Sequence, residues 1–227
     1  MMLTAESEGG HVKCHHYWVD GRYGLLALVK RSEKRILLER KDPNDPSMPH
    51  IIMRRFTLQH SHQPFSPVRE IIQLQYASWP DFGTPVHPSH ILALIEYKDA
   101  VMMSTGFQVP VNPSLPPSPP RTSVERPAIV HCSAGCGRTG VFCAVDTVIN
   151  LMWCQQQRRN SGATSSSDVA SLTDSGYSEW INRDDEDLIC QVVSEFRHQR
   201  LSMVQSLRQF VLCYEAVLEW IAKHKSR

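Results

Sequence analysis

The sequence predicts an α/β fold, a twisted mixed central sheet flanked by helices, in one domain spanning residues 1–227. Three observations predict it. Glu70–Tyr76 and Ala128–Val130 are short alternating or apolar runs, the pattern of strands. Four longer stretches carry apolar residues at helical spacing. A chain of 227 residues can also bury one sizeable core.

In chain order, the strand at Glu70–Tyr76 comes first. Pro88–Met103 follows as a helix, with Ile91, Leu94, Ile95 and Met102 available for one face. The strand at Ala128–Val130 leads into a glycine-rich turn. Thr139–Cys154 is the next helix, presenting Phe142, Val145, Ile149 and Met152. Leu188–Gln199 and Ser206–Lys223 are the last two. Two stretches break the pattern. Gln108–Arg126 holds Pro110, Pro113, Pro116, Pro117, Pro119 and Pro120 and favours extended, polyproline-like chain. Such a segment reads as a surface linker, with SH3-type contact or phosphorylation of Ser118 as alternatives. Gln155–Asp187, rich in Ser, Thr, Gly and Asp, reads as disordered between two helices.

Bulk properties narrow the partners. Lys and Arg number 24 against 23 Asp and Glu, so no basic face for nucleic acid is expected. Apolar runs are short, which predicts no membrane-spanning helix, and the opening residues lack the pattern of a signal peptide. Seven scattered cysteines suit reduced thiols in the cytoplasm or nucleus better than a disulfide framework. The eleven histidines are dispersed, and no metal or other cofactor is expected.

The densest chemistry lies in His131–Gly140, HCSAGCGRTG. A strand, a tight loop and a helix N-terminus make an oxyanion cradle, because successive backbone N–H groups and the helix dipole point at one place. Ser133, Ala134, Gly135, Cys136 and Gly137 would line it with N–H groups. Gly135, Gly137 and Gly140 allow sharp turning and close approach. Arg138 offers a planar fork matching two phosphate oxygens. Cys132 lies at the base, where a helix N-terminus and a cation lower a thiol pKa from about 8.5 to roughly 3.5–7.5. A thiolate there can attack phosphorus. Thr139 can donate to the sulfur as it leaves, and His131 joins the catalytic candidates as its chain neighbour.

This loop resembles the signature of the cysteine-dependent protein tyrosine phosphatases. Trp79-Pro80-Asp81-Phe82-Gly83-Thr84-Pro85 resembles the mobile acid loop of the tyrosine-specific members. The resemblance implies that Asp81 protonates the departing phenolate, with Trp79 anchoring the hinge. Arg200–Phe210, RLSMVQSLRQF, is similar to the family's glutamine loop; there Gln205 matches the residue that positions the attacking water and Gln209 a second glutamine. Lys13-Cys14-His15-His16-Tyr17-Trp18 resembles a further family segment, which implies that Lys13 approaches the acid loop and Glu8 orients Arg138. Arg69–Tyr76 resembles the strand feeding the acid loop.

The resemblance extends from about Met1 to Trp220 and implies the phosphotyrosine protein phosphatase fold and hydrolysis of phosphotyrosine in proteins, in signal transduction. Motif style is closest to fungal members, which implies a phosphorylated MAP kinase as substrate. The family's Asn-Arg-Tyr loop has no counterpart here, and Met1–Glu6 resembles the end of a central strand. This reads as an N-terminally truncated domain whose first strand lacks neighbours. Two alternatives stay open: a dual-specificity phosphatase, and a phosphoprotein-binding module inactivated by truncation.

Overall fold

The computed structural model describes residues 1–39, 48–63, 65–103, 128–161 and 187–225. The chain divides into two compact units. One holds Met1–Asp81 and Val130–Ala134; the other holds Phe82–Ile129 and Gly135–Arg227.

The first unit is built on strands. β1 (Ser7–Glu8) and β2 (His11–Val12) pair as a hairpin, with Glu8 opposite His11. Its tip, Gly9-Gly10, has φ of 56° and 81°, the left-handed pair that a two-residue turn demands. β3 (Gly21–Tyr23), β4 (Leu26–Leu37), β5 (His50–His60) and β6 (Arg69–Tyr76) form an antiparallel sheet in that order. A register shift between Lys30 and Ser32 interrupts the β4–β5 ladder. The sheet becomes mixed beyond β6. Met2 bridges in parallel to Gln75 on one side and to His131 on the other.

That placement corrects one expectation. The Met1–Leu3 backbone does not lack neighbours: Met2 N donates to Leu74 O at 2.8 Å and its carbonyl accepts from Tyr76 N at 2.9 Å. On the other flank Leu3 N donates to His131 O at 2.8 Å, and His131 N to Met1 O at 2.9 Å. Both partners come from this chain, β6 and the segment entering the cysteine loop. The strand expected at Ala128–Val130 is corrected too. Pairing there reduces to the single bridge at His131, and Ile129 stays 75% exposed.

Met2, Trp18, Leu28 and Phe56 form an apolar cluster in this unit. Burying side chains of this size contributes about 1.5–3 kcal/mol each. Arg54 lies buried beside them, its guanidinium 4.8 Å from the Trp18 ring centre.

The second unit is helical. α1 (Ser89–Met103) buries Ile91, Leu94 and Ile95, as the spacing predicts. α2 (Gly137–Ser161) buries Val141, Phe142, Ala144, Val145 and Val148, so it is covered around much of its girth. It begins before the expected Thr139, because Gly140 N already donates to Cys136 O at 2.8 Å. It also passes the expected end at Cys154. Gln155–Gln157 and Arg158–Arg159 are good helix formers, so the first part of the segment expected to be disordered is helical. The remainder of that segment up to residue 186, and the whole of Gln108–Arg126, lie outside the described residues.

α3 (Leu188–Gln199) starts at Asp187, whose Oδ1 accepts from Ile189 N and Cys190 N at 3.0 Å each. α4 (Leu207–Lys225) starts at Ser206, whose Oγ accepts from Gln209 N at 3.2 Å. Between α1 and α2 the buried Lys98 Nζ meets Asp146 Oδ1 at 2.6 Å, with Asp99 at 3.1 Å. Among the described residues no helix is long and apolar enough to cross a membrane.

Candidate active site

In the first unit, sheet pairing delivers His131 and hence Cys132, which is only 6% exposed. The His131 ring is held from both nitrogens. Nε2 lies 2.7 Å from Tyr17 Oη, and Nδ1 lies 3.1 Å from Cys132 O. Burial holds the His131 pKa below its ordinary range, and burial raises that of Tyr17. Ser133 and Ala134, next in the loop, are exposed.

The acid-loop aspartate is in the same unit. Trp79 is fully buried and fixes the end of the segment following β6. Lys13 Nζ donates to Asp81 Oδ2 at 2.7 Å. Lys13 is itself placed by the β1–β2 hairpin, since its N–H donates to Glu6 O at 2.8 Å. The approach of Lys13 to the acid loop is therefore as the resemblance implies. Both side chains are partly exposed, so the pair adds little stability. It does hold the carboxylate in one direction. Glu8, the proposed partner of Arg138, sits on β1 beside the glycine tip of the hairpin.

The second unit carries the rest of the loop. Gly135 has φ of 69°, a conformation for which glycine is the least strained residue. Arg138 and Thr139 are buried in the first turn of α2. The Thr139 hydroxyl makes no hydrogen bond to the described residues. A Cβ on Gly140 would stand 2.5 Å from Val204 N, so only glycine lets the glutamine loop lie this close to α2. Cys136 O closes the contact, accepting from Val204 N at 3.3 Å as well as from Gly140 N.

The glutamine loop is bent to reach that position. Ser202 and Val204 have φ of 66° and 59°, and a β-branched residue there is strained. Arg197 of α3 holds the bend: Nε donates to Met203 O at 2.9 Å and Nη2 to Val204 O at 2.8 Å. A Cβ on Gly137 would lie 2.8 Å from Gln205 Oε1 and 2.9 Å from the Gln209 amide. The structure thus brings both predicted glutamines against the backbone of the cysteine loop. Gln209 Oε1 accepts from Gln205 N at 3.0 Å, and its Nε2 donates to Gly83 O at 3.4 Å. Ser206 Oγ donates to Phe82 O at 3.3 Å. The segment just after Asp81 is thereby tied to the start of α4. Phe82 pays for this with a φ of 55°.

Sequence reasoning missed Arg197 and Arg200. Arg200 Nε reaches Cys136 Sγ at 3.4 Å, and its guanidinium lies over Gly135. An arginine in the last turn of a helix reads as a favourable partner for the helix dipole, so the sequence offered no specific signal.

Comparison with known proteins decides the family. The family model described as protein-tyrosine phosphatase matches residues 1–219. The chain belongs to the protein-tyrosine phosphatase family. Human tyrosine-protein phosphatase non-receptor type 20 is 29% identical over 222 residues, covering 98% of this chain and 39% of that protein. Tyrosine-protein phosphatase 2 of Saccharomyces cerevisiae is 33% identical over 166 residues, 68% of this chain and 20% of that protein. The crystal structure of the catalytic domain of human protein tyrosine phosphatase non-receptor type 18 superposes with a TM-score of 0.59 at 28% identity. It covers 96% of this chain and 58% of the solved one. The chain therefore spans well under two thirds of these family members.

Proposed function

We propose that this family member hydrolyses phosphotyrosine in proteins through a phosphocysteine intermediate. The Cys132 thiolate attacks phosphorus while Asp81 gives its proton to the departing phenolate oxygen, so the P–O bond breaks as the S–P bond forms. Backbone N–H groups of the His131–Arg138 loop and the Arg138 fork stabilise the charge on the three other oxygens. Water then attacks the phosphocysteine. Asp81, now a carboxylate, takes its proton, Gln205 orients it, and Thr139 donates to the leaving sulfur.

The observation that carries this reading is the pair Gln205 and Gln209 seated against Gly137. A module that only trapped phosphoproteins would need the cradle, but not amides placed for a water nucleophile. The unspent Thr139 hydroxyl supports the same second step. The phosphotyrosine substrate is supported by the relatives' names. Solved relatives include the non-receptor type 18 phosphatase in complex with HER2 phosphopeptides, with a TM-score of 0.60 at 27% identity. A MAP kinase substrate, a signalling role and a cytoplasmic location rest on the fungal style of the motifs and on seven cysteines that form no disulfide.

Cys132→Ser tests the assignment. Turnover of a phosphotyrosyl peptide should be abolished while peptide binding by calorimetry persists, because the cradle remains. Turnover comparable with the unsubstituted protein would sink it. A phosphothreonyl peptide hydrolysed equally well by the unsubstituted protein would favour dual specificity.

A further inference from the structure

Three polar side chains, Arg54, Gln73 and Gln75, are buried within the first unit, none more than 4% exposed. Burying such groups is costly unless each is satisfied. Arg54 supplies the satisfaction. Its Nε donates to Glu33 Oε2 at 2.8 Å, and its Nη1 to Gln73 Oε1 at 2.9 Å and Gln75 Oε1 at 2.6 Å. From there the two glutamines diverge. Gln75 Nε2 ends on a backbone carbonyl, Thr4 O, at 3.2 Å. Gln73 Nε2 instead donates to Tyr17 Oη at 2.8 Å, and Tyr17 Oη leads on to His131 and the carbonyl of Cys132.

The polarity of this chain follows from its two ends: a guanidinium can only donate and a carbonyl can only accept. Arg54 therefore fixes the Gln73 amide with its oxygen inward and its NH2 toward Tyr17. The Tyr17 oxygen accepts that hydrogen and keeps its own for His131 Nε2. The Cys132 carbonyl can only accept, so the neutral ring carries its proton on Nδ1 and presents a bare Nε2 to the Tyr17 hydroxyl. In a planar trans peptide the carbonyl and the following N–H point opposite ways. Holding Cys132 O toward His131 aims Ser133 N–H away from it, as a donor for the oxyanion cradle.

We infer that Gln73 is a positioning residue, which through Tyr17 sets the Nδ1–H tautomer of His131 and so the orientation of the Cys132–Ser133 peptide. The inference rests on the phosphatase reading for its consequence in turnover, but not for its test. Burial of His131, which disfavours the imidazolium, acts in the same direction. The groups facing the ring through this chain are Tyr17, Gln73, Arg54 and Glu33, with Cys14 nearby in the charge environment of Tyr17.

Gln73→Glu keeps the shape of the side chain and its contact with Arg54 while replacing the only donor by an acceptor. Tyr17 would then donate to Glu, and accept from His131. The readout is a two-bond proton–nitrogen spectrum of the imidazole ring, which assigns the proton to each nitrogen. The unsubstituted protein should show Nε2 bare, and Gln73→Glu should show Nε2 carrying a proton. With a phosphotyrosyl peptide the variant should lose roughly tenfold in kcat/KM, about what one hydrogen bond contributes. A proton on Nε2 in the unsubstituted protein overturns the inference, whether or not the variant folds. So does a folded Gln73→Glu with Nε2 still bare, even if its melting point has fallen. Absence of turnover in an unsubstituted protein with the expected tautomer would overturn the phosphatase reading alone.

Discussion

The two units hold their functional residues by different means. In the strand unit the reacting groups are fixed by side chains touching side chains: Lys13 on Asp81, Tyr17 on His131, Gln73 on Tyr17. In the helical unit the backbone does it. Gly140 admits Val204, Arg197 grips two carbonyls, and three non-glycine residues sit at positive φ. The first arrangement can be altered by an isosteric change with little effect on the fold. The second responds to added volume and to conformational freedom, and chemistry fails there because geometry fails.

The largest effect expected is on the strand side. Asp81→Asn should lower turnover about 10²–10⁴-fold, the usual contribution of a general acid. Its amide oxygen can still accept from Lys13, so stability should move by no more than about 1 kcal/mol. The loss should shrink on an aryl phosphate whose phenol leaves unprotonated. Equal losses on both substrates, or a collapse of the melt, would break the contrast. On the helical side Gly140→Ala should cost about 1–3 kcal/mol, because the three atoms nearest the added Cβ all belong to backbone. A denaturant titration with unchanged slope measures this, and turnover should fall with it. A neutral alanine would mean that the glutamine loop is not held by close approach.

The dependence on pH sharpens the strand side further. His131 has a folded pKa below its ordinary value of about 6.5 because it is buried. As pH falls through about 6.5 the unfolded chain takes up a proton there that the folded chain resists. Its contribution to stability is therefore present above that pH and is lost below it. The melting temperature of the unsubstituted protein should drop more steeply between about pH 7 and pH 5 than that of His131→Asn. Parallel curves would mean that the ring is not held neutral by the fold. The smallest effect belongs to the bend in the glutamine loop. Ser202 is exposed and has φ of 66°, so Ser202→Gly should stabilise by up to about 1 kcal/mol. A loss in the melt would show that the bend is not strained at this residue.

The same contrast explains what could be read in the sequence. The cysteine loop, the acid loop and the glutamine loop are contiguous, and each carries its chemistry in residues that few other roles require. Helix starts were legible where a cap was local, as at Asp187 and Ser206. The long β4–β5 hairpin was not legible. Lys30, Arg31, Glu33, Lys34 and Arg35 stand exposed along β4, and Arg54 is buried on β5, so neither strand shows clean alternation. Gln73 and Tyr17 act on residues distant in sequence, and Arg197 acts on carbonyls of a bend that the sequence does not announce. Their roles exist only once the fold brings donor and acceptor together.

Lys98 and Asp146 add a consequence on another timescale. The lysine is buried on α1 and the aspartate meets it from α2. Removing one partner from a fully buried pair costs about 3–5 kcal/mol, less where one side is partly exposed and a second carboxylate, Asp99, is at hand, while replacing both by apolar residues is often harmless. Whole-domain stability is typically only about 5–15 kcal/mol. A lineage altering one position crosses a less stable intermediate before it reaches the compensated double change. The two codons are expected to be inherited together or exchanged together, and a protein library varying them independently would recover mostly the original pair and apolar pairs.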